Sequence, residues 1–383
     1  MPHNPLQSVH DQAEATMLAF GPDISLVESF GEVEAEYAAL RKSVALMDAP
    51  HRAVAILTGR DRLSFLQNLV TNDAKALAPG QGCYAYMLNT RGRIVADMNI
   101  LHGEDSTMLD MDARLIADFC GQLEKFVFAE DVKIRNAADE LARLTLAGPN
   151  AAAVLRKITD ARLELPTAPL SHVRRTAGRT PLTIFRNDQC GEVQYELIAP
   201  CGELVNLWHI LHEAGNGHGE PQDTGLNLRA IGWSAFNVAR IEAGTPLYGI
   251  DITDNYLPME TGPWYPRAVS VKKGCYLGQE IVARMHAHNA VARLLVGLKV
   301  SGDLLPVAAS AVVHNNSQIG IVTSSCMSPM LGYAPVALGY VRRQDSSIGS
   351  ELHVNAGGQT VKALVCALPF WQKVATRPPD AGA

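Results

Sequence analysis

The C-terminal part of the chain, from Arg293 onward, constrains the fold more than any other stretch. Five short runs rich in Val, Leu and Ile are separated by Gly, Ser, Pro and Asn, and they read LLVGLKV, GIVTSS, VALGYV, LHVNA and VKALV. Short apolar runs between turn-forming residues are typical of antiparallel barrels and sandwiches. We therefore expect a small antiparallel β-barrel over residues 291–375, followed by a tail at 376–383.

Upstream of this region the pattern mixes helices and strands. Turns at 90–93 and 188–191 are each flanked by strand-like runs, and a helical pattern follows each pair of runs. This repetition indicates two related α+β units, which we place at residues 31–143 and 144–290. The mixed polar residues 1–30 predict an irregular N-terminal arm.

Individual elements follow from the spacing of the apolar residues. Strands are predicted at 53–57, 94–101, 182–186 and 193–198. Helices are predicted at 32–42, from 61, from 116 to 126, at 204–214, at 226–241 and from 279 onward.

Composition describes an ordinary globular protein. The 383 residues are 47% hydrophobic and 19% charged, and this length suits two or three domains. The net charge of −6 gives no electrostatic reason to expect nucleic acid or an acidic membrane as the main partner. No apolar run has the length of a membrane span, and the first residues lack the pattern of a secretion signal. We expect a cytoplasmic protein.

The cysteines argue against a disulfide framework. The seven are odd in number, widely spaced and without a CxxC pair. The same spacing argues against a zinc or iron–sulfur site built by this chain alone, and it suits a reducing compartment. His209 and His212 have helical spacing and His218 follows in a Gly-rich loop, but no acid or cysteine completes a ligand set. We predict no metal site.

Residues 272–284, KKGCYLGQEIVAR, combine a lone cysteine with two lysines, two glycines and the start of a helix. Cys275 is expected just before the N-terminus of that helix, where the helix dipole and the neighbouring lysines favour a thiolate. The alternative is a buried turn in which the cysteine only packs. Gln279 and Glu280 either cap the helix or bridge domains.

The string KGCYLGQE resembles the signature of the YgfZ-type folate-binding proteins, which are relatives of the glycine-cleavage T-protein (aminomethyltransferase). Its matching residues are Lys273, Gly274, Cys275, Tyr276, Gly278, Gln279 and Glu280. The likeness extends over roughly residues 40–370 and includes GRDRLSFLQNLVTND, YAYMLNTRGRIVADM, RIEAGTPLYGIDI and VTSSCMSPMLGYAPVALGYV. It implies an α+β fold in which two related halves and a C-terminal barrel surround a central cavity for tetrahydrofolate.

The resemblance also implies site residues. Tyr84 stands 13 residues before Asp97, which matches the spacing of a folate-contacting tyrosine and a carboxylate at the reacting centre of the T-protein. The family usually has two adjacent acids here, whereas this chain has Ala96 and Asp97. The GEVQYE string makes Glu196 the partner of the pterin ring, since a carboxylate accepts two hydrogen bonds from its N–H edge. Without the resemblance, Asp97 reads as an edge carboxylate and Glu196 as a solvated strand position.

Two departures from the T-protein pattern weaken the case for full aminomethyl transfer. A folate-contacting tyrosine is replaced by Gln189, and an arginine of the site falls on Phe236. Arg240, in ARIEAG, either contacts the ligand or pairs with other groups at a helix end, and Tyr248 either lines the pocket or packs in the core. Cys275 is a candidate nucleophile only with a nearby base.

Three hypotheses follow. The first is a tetrahydrofolate-binding accessory protein of the YgfZ kind, which supports maturation or repair of iron–sulfur enzymes and has iron–sulfur clients or assembly proteins as partners. The second is a folate-dependent one-carbon transferase, either an aminomethyltransferase or a demethylase, in which Asp97 is catalytic. The third is a scaffold that keeps the fold without the ligand.

Overall fold

The structure of the protein is a computed structural model, and it describes residues 4–160, 162, 164–217, 225–288 and 290–371. His218 and the predicted tail at 376–383 lie outside the described residues.

The described chain forms an α+β assembly. The helices are α1 (Gln7–Gln12), α2 (Val33–Lys42), α3 (Arg62–Gln67), α4 (Ile116–Glu124), α5 (Ala151–Ile158), α6 (Leu204–Asn216), α7 (Trp233–Glu242), α8 (Tyr265–Ala268) and α9 (Gln279–His288). The strands before the barrel are β1 (Thr16–Gly21), β2 (Ile24–Ser29), β3 (Val44–Asp48), β4 (Arg52–Thr58), β5 (Gln81–Leu88), β6 (Ile94–His102), β7 (Ser106–Asp112), β8 (Lys133–Asn136), β9 (Leu141–Ala147), β10 (His172–Ala177), β11 (Thr180–Arg186), β12 (Gln194–Pro200) and β13 (Leu228–Ala230). A kinked 3-10 segment, Pro258–Trp264, leads into α8.

The expected C-terminal barrel is confirmed. Its six strands close in the order β14-β17-β16-β15-β18-β19, and every pairing is antiparallel. Alternating side chains fill the interior, among them Leu298, Val312, Val322, Leu352 and Val365. The strands are β14 (Arg293–Val300), β15 (Ala311–His314), β16 (Ser317–Ser328), β17 (Ala334–Arg342), β18 (Glu351–Ala356) and β19 (Gln359–Cys366).

Two sheets make up the rest of the molecule. The first sheet has five strands in the order β5-β6-β7-β4-β8, and the second has six in the order β10-β11-β12-β9-β3-β13. One face of each sheet packs on its own helices. The opposite faces pack on each other, because Val54 and Leu101 of the first sheet share an apolar cluster with Phe185 and Ile198 of the second.

The prediction of an irregular N-terminal arm was wrong. Residues 4–30 contain α1 and a hairpin of β1 and β2. This hairpin has an apolar face that the mixed composition concealed, since Leu26 is buried against Tyr37 and Phe236. His10 of α1 is buried as well, with its Nε2 2.9 Å from Asp48.

The helix predicted at 226–241 is shorter than expected. Leu228–Ala230 is a strand that pairs in parallel with β3, and the helix begins only at Trp233. Gly232 marks the break, because a Cβ at this position would lie 2.3 Å from the carbonyl oxygen of Glu28.

Strand β3 does not belong to the sheet that its position in the sequence suggests. It lies within residues 31–143, the predicted first unit, yet it pairs with β9 and β13 of the second sheet. The division of the chain and the division into sheets therefore do not coincide. Among the described helices, none is both long and apolar enough to cross a membrane.

Candidate functional site

A buried polar layer lies between the two sheets, beside the apolar cluster described above. It arises from strand alternation: on β6, Asp97 and Asn99 point towards the second sheet, while Met98 and Ile100 pack on the helices of the first. The same alternation on the other strands places further polar side chains in this layer. The polar layer consists of Arg52, Asp97, Asn99, Asp110, Arg143, Thr145, Gln194 and Glu196.

Asp110 is the centre of the polar layer. Its carboxylate accepts hydrogen bonds from Arg52 at 2.8 Å, from Asn99 at 2.8 Å and from Arg143 at 2.9 Å. Burial alone would raise the pKa of Asp110, but the guanidinium groups of Arg143 and Arg52 hold that pKa far below its usual range. Asp110 is therefore an ionised carboxylate with a complete set of donors.

Glu196 is fully enclosed in the same layer. Its Oε1 accepts a hydrogen bond from Gln194 at 2.6 Å and its Oε2 accepts one from Thr145 at 2.6 Å. The Nε of Arg143 lies 2.9 Å from Oε2 and completes an ion pair. Burial raises the pKa of Glu196, and the charge of Arg143 opposes that shift. Both oxygens of this carboxylate thus have protein partners.

Asp97 differs from these two carboxylates. Its Oδ2 accepts a hydrogen bond from the Tyr84 hydroxyl at 2.8 Å. Its Oδ1 is buried without a hydrogen-bond partner and lies 3.9 Å from the nearest guanidinium nitrogen of Arg52. Burial raises the pKa of Asp97, against the influence of Arg52 and Tyr84. An incompletely solvated carboxylate of this kind is a feature of sites that bind a ligand donor.

Aromatic rings surround the Tyr84 side of Asp97. The Tyr84 ring packs edge-on against Tyr86 at 5.4 Å and against Trp264 at 5.7 Å between ring centroids. Tyr248 is half-buried nearby and donates a hydrogen bond from its hydroxyl to the carbonyl of Val95 at 2.7 Å. Burial and the proximity of Asp97 raise the pKa of Tyr248. The structure thus brings together three predicted site residues, Tyr84, Asp97 and Tyr248.

A cavity of about 400 Å³ opens next to this aromatic group. Four segments enclose it: the β11–β12 turn, the end of α7, the Pro258–Trp264 segment with α8, and the chain after the barrel. Its lining includes Gly191, Thr245, Trp264, Arg267, Leu368 and Trp371. Trp264 belongs both to the cavity wall and to the ring group around Tyr84, so the cavity adjoins that ring group, although Asp97 itself does not line it.

Arg240 lies outside this arrangement. Its guanidinium group is buried and donates to Asn237 at 2.8 Å, to the carbonyl of Thr245 at 3.2 Å, to Ser324 at 2.7 Å and to Asp251. Ser324 belongs to β16, so Arg240 connects α7 to the barrel. This geometry favours the structural role among the two that the sequence left open.

Glu242, two residues later, has a similar function. Its carboxylate accepts hydrogen bonds from Tyr37 at 2.5 Å, from Arg41 at 2.6 Å and from Ser328. Phe236, where the resemblance leads one to expect an arginine, has its ring in a buried apolar cluster.

The signature segment packs on the first sheet and its helix. Lys273 donates to the carbonyls of Gln67 at 2.6 Å, of Asn72 at 3.2 Å and of Val70, and burial lowers the pKa of Lys273 to about 8. Gly278 has a positive φ of 78°, and a Cβ there would lie 2.5 Å from the carbonyl oxygen of Asn89.

Cys275 itself is exposed. It lies four residues before Gln279, the first residue of α9, as the sequence predicted. Among the contacts of the described residues, none joins this thiol to Asp97 or Glu196, so the signature cysteine and the carboxylates occupy different places.

The sequence analysis missed Arg52, Asp110 and Arg143, which organise the polar layer. A signal was present for Arg143, which interrupts a strand whose other residues are largely apolar, whereas Arg52 begins its strand and Asp110 lies in a strand of mixed polarity. It also missed Trp264 and Arg267, for which the sequence offers no comparable pattern. Within the described part of the chain, no group of three acidic, histidine or cysteine residues is arranged to hold a metal ion.

Comparisons with known proteins agree with this architecture. The sequence model of the GCVT N-terminal domain matches residues 6–273, and that of the glycine cleavage T-protein C-terminal barrel domain matches residues 293–372. An aminomethyltransferase of Bacillus subtilis (strain 168) is 31% identical over 96% of this chain and 99% of its own length. One from Halalkalibacterium halodurans is 31% identical over 96% of this chain and 98% of its own.

A solved structure is similar along the whole chain. The crystal structure of the glycine cleavage system aminomethyltransferase T from Bartonella henselae superposes with a TM-score of 0.84 and 26% sequence identity. The similarity covers 96% of this chain and 97% of that one.

Proposed function

This chain belongs to the glycine cleavage T-protein family, and we propose that it is a tetrahydrofolate-dependent one-carbon transferase of the aminomethyltransferase kind. The observation that carries the proposal is Asp97, a buried carboxylate with one oxygen held by Tyr84 and the other without a hydrogen-bond donor. The names of the relatives support this reading over the YgfZ-type accessory role.

The residues around Asp97 suit a reduced pterin. Such a ring presents N–H groups along its edge, and the free Oδ1 of Asp97 is an acceptor in a site from which water is largely excluded. Tyr84, Trp264 and Tyr248 supply flat apolar surfaces of the kind that pack on a heterocycle. The adjoining cavity leaves room for the part of the folate beyond the ring.

Each residue of the chain then has a defined task. Tetrahydrofolate supplies the ring amines that accept the one-carbon unit. Asp97 accepts a hydrogen bond from the ring and orients it, so that the reaction is helped chiefly by positioning. Tyr84 fixes the Asp97 carboxylate through the 2.8 Å hydrogen bond, and Arg52 places a positive charge beside it.

Glu196 is the second carboxylate of the proposed site. Its Oε1 has one protein donor, Gln194, so an N–H of the pterin edge would share or displace that hydrogen bond. The ion pair with Arg143 keeps the carboxylate in place while this exchange occurs.

The test is a transfer assay. The purified protein is incubated with tetrahydrofolate and a panel of one-carbon donors that includes an aminomethylated lipoyl carrier, methylamines, O-methyl aromatics and sulfonium compounds, and substituted folates are measured by mass spectrometry. We expect a substituted folate with at least one donor, formed about 100-fold more slowly by Asp97→Asn. If tetrahydrofolate binds but no donor yields a product, the transferase proposal fails.

A second candidate function has one specific observation in its favour. KGCYLGQE places an exposed thiol, Cys275, on a turn anchored by Lys273, as expected of a YgfZ-type accessory protein for iron–sulfur enzymes in the cytoplasm. Activity of an iron–sulfur enzyme in cells that lack the native gene separates the two functions. The accessory role predicts that Cys275→Ala fails to restore the activity of that enzyme. The transferase role predicts that Cys275→Ala keeps full one-carbon transfer in the transfer assay, whereas Asp97→Asn loses most of it.

The scaffold hypothesis is tested by calorimetry. Absence of heat on titrating the folded protein with tetrahydrofolate would favour a fold without its ligand over both other functions.

A further inference from the structure

We infer that Arg267 is a specificity-determining residue, which binds a carboxylate of the glutamyl tail of folate at the mouth of the cavity. The inference rests on the proposed function, since it takes the bound molecule to be tetrahydrofolate. No motif pointed to Arg267, and its role follows from its surroundings in the structure.

The guanidinium group of Arg267 has unused hydrogen-bonding capacity. It stacks on Trp264, with its central carbon 4.1 Å from the ring centroid, and its side chain is exposed. Throughout the described residues no carboxylate lies within 4.0 Å of it. Asp188, which also lines the cavity, forms its ion pair with Arg186 instead. Arg267 is therefore a cation in a cavity wall with its donors available.

The position of Arg267 relative to Asp97 is fixed by the backbone. The side-chain amide of Asn72 donates to the carbonyl of Arg267 at 2.9 Å and to that of Tyr84 at 2.8 Å. Thr71 donates to the carbonyl of the next residue, Ala268, at 2.7 Å. The guanidinium group of Arg267 lies over Trp264 in the cavity wall, and the Trp264 ring contacts the Tyr84 ring, whereas Asp97 lies at the Tyr84 hydroxyl.

Asp97 and Arg267 together suit a molecule that has a heterocycle at one end and a carboxylic acid at the other. A guanidinium that stacks on an indole keeps its N–H edges free for a carboxylate, and it binds that group with two parallel hydrogen bonds. A pterin at Asp97 would send its aminobenzoyl group past Trp264 and its glutamate to Arg267. Folates with a glutamyl tail are then bound in preference to pterins without one.

The experiment measures dissociation constants for tetrahydrofolate and for 6-methyltetrahydropterin, which lacks the tail, by calorimetry under anaerobic conditions. We expect Arg267→Leu to weaken tetrahydrofolate binding about 10- to 30-fold, the effect of losing a charge-assisted hydrogen-bonded pair. The same substitution leaves the affinity for 6-methyltetrahydropterin unchanged. Arg267→Lys, which keeps the charge but not the paired geometry, falls between wild type and Arg267→Leu.

Arg179→Leu, on an exposed turn between β10 and β11, is the matched control and binds both ligands as the wild type does. An unchanged affinity of Arg267→Leu for tetrahydrofolate, or an equal loss for both ligands, overturns the assignment of Arg267 and leaves the proposed function standing. If the wild type binds neither ligand, the proposed function fails and this inference falls with it. Circular dichroism of each variant confirms that the fold is intact.

Discussion

The two ends of the polar layer are built from the same residue types and behave differently. At one end, Asp110 and Glu196 have hydrogen-bond donors on all their oxygens and are tied to Arg143. At the other end, Asp97 has a donor on one oxygen only, although it is almost as deeply buried. Both ends share Arg52, which donates to Asp110 at 2.8 Å but stays 3.9 Å from Asp97.

This contrast separates groups that hold the fold from a group that is available to a ligand. Removing one partner of a saturated buried ion pair leaves the other partner charged and unpaired, which costs stability. A buried carboxylate without its full set of partners already destabilises the protein, so its removal affects function more than folding.

The largest expected effect concerns the centre of the saturated end. Asp110→Asn leaves Arg52 and Arg143 buried with one carboxylate fewer, and we expect it to lower the free energy of unfolding by about 3–5 kcal/mol. Urea denaturation followed by circular dichroism measures this loss. Asp105→Asn, on an exposed turn, is the control and changes stability by less than about 0.5 kcal/mol. Equal stabilities for Asp110→Asn and Asp105→Asn would show that the buried ion pairs of Asp110 do not stabilise the fold.

The next effect concerns the available end. We expect Asp97→Asn to reduce one-carbon transfer about 100-fold, the usual scale for a group that positions or accepts a proton. The same change raises the free energy of unfolding by up to about 1 kcal/mol, because a buried charge with an incomplete set of hydrogen-bond donors is removed. The transfer assay and urea denaturation are run on the same preparation. A variant that is both active and less stable would place Asp97 with the structural carboxylates.

Glu196→Gln tests a carboxylate that belongs to the saturated end of the polar layer and is also proposed to contact the pterin. The substitution keeps the size but removes the charge that faces Arg143, so we expect a loss of about 1–3 kcal/mol in stability. Affinity for tetrahydrofolate falls as well if Glu196 contacts the pterin. Calorimetry on the folded variant checks this: full affinity would confine Glu196 to the polar layer.

The smallest effect is in pH dependence. The pKa of Asp97 is raised by burial, so one-carbon transfer should decline on the acid side at a pH above about 3.9, the ordinary value for an aspartate. Because its folded pKa exceeds its unfolded pKa, ionisation of Asp97 destabilises the fold as pH rises, and the stability advantage of Asp97→Asn shrinks on acidification.

Asp110 has the opposite sign, since its folded pKa is lowered. Its contribution to stability is present above the unfolded value and is lost as pH falls below it. Denaturation curves for both variants and the wild type over the acid range measure the two trends, and parallel trends would contradict the assignment.

Much of the fold was accessible from the sequence. The barrel strands, helix α2, the β5–β6 hairpin and helix α9 all follow from local apolar spacing, which is a property of neighbouring residues. The N-terminal hairpin and strand β13 were not accessible, because each is stabilised by partners distant in the chain. Leu228 pairs with Val44, a contact that no local pattern indicates.

The site was accessible only in part. Tyr84, Asp97 and Glu196 were named through a resemblance, and the structure places them in or beside one buried layer. The free oxygen of Asp97 depends on the 3.9 Å distance to Arg52, which is a tertiary quantity. The resemblance also favoured a YgfZ-type accessory role, whereas the relatives described above are aminomethyltransferases.

The position of β3 in the second sheet determines whether the chain can be divided into fragments that fold separately. A strand from near the N-terminus sits between β9 and β13, so no cut near the middle of the chain gives two self-sufficient pieces. In a fragment that begins after β8, strand β9 would have an unpaired edge and β13 would have no neighbouring strand. Unpaired strand edges of this kind promote aggregation. We expect the separated fragments to regain structure only when they are refolded together, as a complementing pair.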